Sequence, residues 1–218
     1  MSHREDEMRR LGAAVTRRLL QLYPRPRLEL EYSGPLELLV ALILAAQCTD
    51  ERVNDVTRRL FRKYRSARDY ATADPAELER DIHPTGFYRR KARTLIACCQ
   101  ALVDRHGGEV PRTLEDLTAL PGVGRKTANL ILACTFGRQA IAVDTHVKRV
   151  SRRLGLARSE DPDRIEEELR GVIPRNRWRD FTLALILHGR RVCTARHPRC
   201  GDCGLRELCR WEGKQSGD

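Results

Sequence analysis

The chain has 218 residues, of which 41% are hydrophobic and 33% charged, with a formal net charge of +11. No stretch approaches the roughly 20 apolar residues of a membrane span, and the apolar fraction is too high for a disordered chain. Of the 41 basic residues, only Lys63, Lys91, Lys126, Lys148 and Lys214 are lysines, so the excess over 30 acids is rich in guanidinium groups and points to a polyanionic partner, nucleic acid first.

At about 100–200 residues per domain, the length predicts one large or two small domains. The opening MSHREDEMRR has no apolar run of the export type, so the expectation is a cytoplasmic, reducing location. Arg9 to Leu22 places Leu11, Val15, Leu19 and Leu22 on one stripe and predicts an amphipathic helix, ended by Tyr23-Pro24-Arg25-Pro26. Pro35 to Gln47 is almost wholly apolar but too short to span a membrane, which predicts a buried core helix. Asn54 to Tyr64 predicts another helix, and Asp74-Pro75 a further start as N-cap and first helical residue. His83 to Tyr88 reads as a turn before a basic helix from Arg89 to Arg105, which Gly107-Gly108 ends. Thr113 has the position of a cap for a short helix containing Leu117 and Leu120, and Lys126 to Phe136 predicts the next helix. Asp144 caps a helix through Leu154, and Asp163–Val172 and Trp178–His188 supply two more. Strand signals are nearly absent, so the fold class is all-α with a cysteine-rich C-terminal loop.

Between two of these helices, Leu120-Pro121-Gly122-Val123-Gly124-Arg125 predicts a tight turn with exposed backbone amides opening onto a helix N-terminus. Such a turn binds phosphate through N–H groups and the helix dipole, without reading bases. It resembles the helix-hairpin-helix element of DNA-binding proteins. Lys126 follows at the start of the second helix. The helix N-terminus and Arg125 both place positive potential at its amine, which favours the uncharged, nucleophilic form. Taken alone, Lys126 reads first as a phosphate-contacting or solvated lysine, and Asp144 in IAVDTHVKRV as a plain helix cap. Together they have a mechanism: an amine attacks an electrophilic sugar carbon, and a carboxylate offsets positive charge or moves protons.

The eight cysteines fall into two classes. Cys48, Cys98, Cys99 and Cys134 sit in apolar segments and read as small buried hydrophobes. Cys193, Cys200, Cys203 and Cys209, spaced C-x6-C-x2-C-x5-C, read as a metal or cluster site, and spacing alone leaves zinc and an iron–sulfur cluster both open. From Arg190 to Arg210 six arginines stand against Asp202 and Glu207, so Arg190 and Arg199 are candidates for phosphate contacts from a cross-linked loop.

LPGVGRKTAN, then AVDTH, then the four cysteines, in this order from about Leu28 to Cys209, closely resemble the endonuclease III family of DNA glycosylases with apurinic/apyrimidinic lyase activity. The resemblance implies a base-excision-repair enzyme that removes oxidised pyrimidines from duplex DNA. It then cleaves 3′ to the abasic site by β-elimination, with the residue matching Lys126 as nucleophile and that matching Asp144 as its partner. It implies two helical domains flanking a DNA-binding cleft. One is a six-helix domain, about 28–138, carrying the helix-hairpin-helix at about 114–132. The other is a discontinuous cluster domain of 1–27 and 139–218, with a [4Fe–4S] cluster held by the cysteines of the 193–209 loop. The chemistry implied needs no metal or nucleotide cofactor, and the expected protein is a nucleoid-associated bacterial monomer.

In this family a glutamine after the first core helix and a wedge residue before the basic helix fill the space left by a flipped base. Gln47 in LAAQCTD and Phe87 in TGFYRRKA match them, although the commoner wedge is leucine and Phe87 on its own reads equally as a core aromatic. His146 and Asp50 match supporting positions, Arg89, Arg90, Lys91 and Arg93 could meet phosphates, and His188 and Trp178 read as core. A related adenine glycosylase lacks the lysine, uses a carboxylate in its first core helix and carries a further C-terminal domain. Lys126 is present here, Val40 to Gln47 has no acid, and the chain stops soon after Cys209, so that reading is disfavoured. A non-catalytic DNA-binding module is the remaining alternative, and the joint presence of Lys126 and Asp144 argues against it.

Overall fold

The computed structural model describes residues 3–214. Among them are eleven α-helices and no strand: α1 (His3–Leu22), α2 (Pro35–Leu44), α3 (Asp50–Lys63), α4 (Ala67–Ala71), α5 (Pro75–Ile82), α6 (Tyr88–His106), α7 (Leu114–Thr118), α8 (Arg125–Thr135), α9 (Thr145–Arg153), α10 (Pro162–Val172) and α11 (Trp178–Arg191). The chain forms two compact units, one of residues 28–137 and the other of 1–27 with 138–218.

Local chemistry explains most helix starts. The Asp74 carboxylate accepts the Glu77 N–H at 2.8 Å with Pro75 in the first helical position. Thr113 Oγ1 accepts the Asp116 N–H at 3.1 Å, and Asp161 caps α10. Each such cap stabilises its helix by about 1 kcal/mol. Gly107, at φ 62, ends α6 in the left-handed conformation that a residue without Cβ adopts freely.

In the unit of 28–137, α2 packs against α3, α6 and α8, which is why it can be apolar all round. Leu38, Leu39 and Leu44 of α2, Leu95 and Leu102 of α6, and Ile131 of α8 are fully buried. Burying each contributes about 1.5–3 kcal/mol. This unit holds seven α-helices rather than six. The addition is α4, whose five residues are too few to show a periodic stripe; its signal was the Ser66-Asp69 capping box. In the other unit α1 packs on α10 and α11, and α9 on α11.

Several boundaries differ from the sequence expectation. Helix α1 begins at His3 rather than Arg9, with Glu5 and Asp6 in its first turn where the dipole favours acids. Helix α2 stops at Leu44, because Gln47 takes a left-handed φ of 53 that no helix accommodates. Helix α3 starts at Asp50, where the Thr49 hydroxyl caps it. Cys98 and Cys99 are buried as expected, and burial pushes the Cys98 thiol up to about 12. Cys48 and Cys134 are only half-buried, as is Trp178, whose indole N–H donates to the Ile173 carbonyl; His188 is buried.

Candidate functional site

In the unit of 28–137, the turn between α7 and α8 is shaped by Gly122. Its φ is 77, and a Cβ built there would lie 2.2 Å from Thr94 Cγ2 of α6. Any other residue would be strained and would collide. Val123 turns inward: its side chain is buried and its N–H donates to the Leu120 carbonyl at 3.1 Å. Its side chain and N–H serve the turn itself. Gly124 is exposed at the N-cap of α8 and leaves the first-turn amides without a side-chain cap. Arg125 is half-buried beside it.

The side chain of Lys126, exposed on the first turn of α8, makes no hydrogen bond or ion pair among the described residues. It lines an open pocket of about 370 Å³ with Gln47, Phe87, Arg90, Lys91, Thr94 and Gly122. That size suits a small ligand.

Gln47 and Phe87 flank this pocket and share an unusual backbone. They are the two non-glycine residues of positive φ among the described residues, at 53 and 48. A left-handed residue with a Cβ costs about 1–2 kcal/mol. Phe87 is 63% exposed, so the core-aromatic alternative is excluded. Lys91 is a correction in the opposite sense: it is 4% exposed, and its ammonium donates to the carbonyls of Leu44 and Thr85, both at 2.7 Å. It therefore does not join Arg89, Arg90 and Arg93, which are exposed on the same helix. Burial lowers the Lys91 pKa from the ordinary lysine value. Asp50 opens α3.

Asp144 belongs to the other unit, at the start of α9. Its Oδ1 accepts the N–H groups of His146 and Val147 at 2.8 and 2.7 Å. His146 is half-buried, and its Nδ1 lies 3.1 Å from Arg149 Nη2. A guanidinium only donates, so Nδ1 accepts and the ring proton sits on Nε2. Burial lowers the His146 pKa; Arg149 and Arg190 act in the same direction, and Asp144 opposes them.

Cys193, Cys200, Cys203 and Cys209 line one pocket of this unit, walled by Val150, Leu154, Leu205 and Trp211. Burial pushes the Cys203 thiol up, and the other three cysteines add to that shift. Arg153 Nη1 donates to Cys193 Sγ at 3.4 Å, and its guanidinium stacks 4.0 Å over the Trp211 ring. No group of three His, Cys, Asp or Glu among the described residues is arranged around a single ion. Four thiols spread around a mostly apolar pocket with cations at its edge fit a group larger than one metal ion, held by thiolates. His188 backs the pocket; burial pushes its imidazole down to about 4, and its Nε2 lies 3.5 Å from Cys203 Sγ. Arg190 is half-buried and Arg199 exposed, with the Arg199 guanidinium donating to the Arg191 carbonyl.

Residues 40–175 match the family described as HhH-GPD superfamily base excision DNA repair protein. Residues 193–209, from the first to the fourth clustered cysteine, match the iron–sulfur binding domain of endonuclease III. The endonuclease III of Synechocystis sp. is 52% identical over 192 residues, 88% of each chain. The chain belongs to the endonuclease III family. The endonuclease III of Escherichia coli is 41% identical over 200 residues, covering 92% of this chain and 95% of that one. A solved trapped endonuclease III–DNA covalent intermediate, an estranged-adenine complex, is similar with a TM-score of 0.86 and 46% identity, covering 90% of this chain and 93% of that chain. As an endonuclease III family member the protein is a base-excision-repair DNA glycosylase and AP lyase with an iron–sulfur binding domain.

Residue patterns did not bring forward Lys91 as a buried group, nor Arg149 and Arg153. The i, i+4 spacing of the two arginines after Asp144 was the available signal for the latter pair, since it puts both on one side of α9.

Proposed function

We propose that this protein removes oxidised pyrimidines from duplex DNA and cleaves the strand through a Schiff base at Lys126. The observation that carries the reading is an exposed, unpartnered lysine on the first turn of α8. It lies two residues after the Gly122-Val123-Gly124 turn and lines a ligand-sized pocket.

The damaged nucleotide leaves the stack and enters the site. The Lys126 amine attacks C1′, the bond from C1′ to the base breaks, and the base departs with its electron pair and gains a proton. Opening of the sugar gives an iminium, which acidifies the C2′ proton. Loss of that proton breaks the C3′–O bond and expels the 3′ phosphate. Asp144 is assigned as the carboxylate that offsets the positive charge developing on the sugar. Gln47 and Phe87 fill the gap in the duplex. The Gly122–Gly124 turn and Arg125 hold a phosphate, His146 supports the site, and Arg190 and Arg199 add phosphate contacts. The partner is double-stranded DNA carrying oxidised pyrimidines or abasic sites, met by a monomer in the bacterial nucleoid.

Cys193, Cys200, Cys203 and Cys209 would ligate a [4Fe–4S] cluster, which when bound cross-links the loop that carries Arg196, Arg199 and Arg206. The unit of residues 28–137 is the hairpin domain in this reading, and 1–27 with 138–218 the cluster domain.

Borohydride reduction tests this directly. Covalent trapping of the protein on a thymine-glycol duplex and on a preformed abasic duplex, abolished in Lys126→Ala, is the expected result. Trapping that persists in Lys126→Ala would overturn the assignment of the nucleophile, and trapping on the abasic duplex alone would overturn the substrate class.

A further inference from the structure

Gln47 and Phe87 belong to different segments, yet one side chain reaches both. Lys91 sits in the first turn of α6, and its ammonium donates to the Leu44 carbonyl, at the end of α2, and to the Thr85 carbonyl, at the end of the 3-10 turn His83–Thr85. Leu44 is three residues before Gln47 and Thr85 two before Phe87. The C-terminal end of α2 presents unpaired carbonyls and the negative end of a helix dipole, which suits a cation. Burying a charge is costly unless it is fully hydrogen-bonded, so a lysine here is not the cheapest way to fill the space. Strained backbone persists only where its surroundings hold it. The two strained residues are both exposed at the pocket, and Lys91 ties down the segment ahead of each.

We infer that Lys91 is a positioning residue that holds Gln47 and Phe87 as one preassembled pair, ready to enter the duplex together. This rests on the reading that those two side chains fill the space of the extruded base. Ordering them beforehand removes the entropy that would otherwise be lost at the moment of extrusion.

The test compares Lys91→Met with the native protein on two substrates in single turnover. One is a thymine-glycol duplex, where base extrusion is required; the other is a single-stranded abasic oligonucleotide, which has no stack to refill. The expected result is a loss of tenfold or more on the duplex, with trapping on the single strand changed less than threefold. Hydrogen exchange should quicken in segments 45–48 and 85–88. Equal losses on both substrates would mean that Lys91 only supports the fold, and would overturn the inference. Lys91→Arg, which retains donors, should recover part of the duplex rate; if Lys91→Met does not fold, Lys91→Arg is read by the same two-substrate comparison. The Gln47→Ala/Phe87→Ala protein separates the two claims. If it keeps the full duplex rate, the gap-filling reading fails. If it loses rate and Lys91→Met then lowers it by the same factor again, gap filling stands and the role of Lys91 fails.

Discussion

Arg149 joins the Asp144 helix to the cysteine loop: its Nε donates to the Cys193 carbonyl at 3.0 Å, and its Nη2 to His146 Nδ1 at 3.1 Å and the Gly189 carbonyl at 2.9 Å. Arg153, one turn on, holds the Thr194 carbonyl at 2.8 Å and the Ala195 carbonyl at 2.9 Å. The helix that begins at the candidate catalytic carboxylate is thus fastened along its length to the loop carrying the first cluster cysteine.

Arg149→Lys keeps the charge but not the planar fork that serves three acceptors. Its unfolding free energy should fall by about 1–3 kcal/mol, the range for losing charged hydrogen bonds. The visible absorbance of the cluster should also bleach faster under a chelator than in the native protein. An unchanged bleaching rate would show that the loop is held without this residue.

Asp144 has two duties that substitution can separate. Asparagine caps helices as well as aspartate does, so Asp144→Asn should leave the melting temperature nearly unchanged, while Asp144→Ala should lose about 1 kcal/mol. Base release should fall by at least tenfold in both. Chemical denaturation alongside single-turnover assays would check this, and undiminished release in Asp144→Asn would remove the carboxylate from the chemistry.

Phe87 is 63% exposed in a left-handed conformation, so the folded protein gains little from it. Asparagine tolerates that conformation, and Phe87→Asn should be as stable as the native protein or up to about 1 kcal/mol more so. The same change should weaken extrusion of the damaged base, read by 2-aminopurine fluorescence beside the lesion. Stability and function moving in opposite directions is the expected signature of a residue kept for its action on DNA.

His146 makes stability depend on pH with a defined sign. Burial, Arg149 and Arg190 favour the neutral ring over the protonated one, outweighing Asp144. Below the ordinary histidine value, about 6.5, the unfolded chain takes up a proton that the folded chain resists. Stability is therefore present in full above that value and declines as pH falls through it. Denaturation between pH 7.5 and 5 should show a shallower decline in His146→Gln than in the native protein.

Much of the fold was legible because helix boundaries are written in adjacent residues. Asp74-Pro75, Thr113 and Asp144 stop the preceding segment and satisfy the first amides of the next, interactions that span two to four residues. The Gly122-Val123-Gly124 turn and the four clustered cysteines were legible for the same reason, since spacing along the chain is their signature. Helix α4 was missed because five residues give no period, and the early end of α2 because nothing near Gln47 announces a positive φ.

What the sequence by itself determined was the class of fold, the order of helices, the family and the residue types available for chemistry. The tertiary structure alone decided which way side chains turn. Lys91 lies among arginines that face solvent, yet it points inward because the Leu44 carbonyl, 47 residues away, needs a donor. Phe87 is apolar, yet it stays outside because its segment is held in a turn that points it away from the core. Arg149 serves Cys193 and Gly189, 44 and 40 residues distant, and its spacing to Arg153 marks a shared helix side but not these acceptors. Such choices are made by acceptors brought close through folding, and their positions are not encoded at the spacing of neighbouring residues.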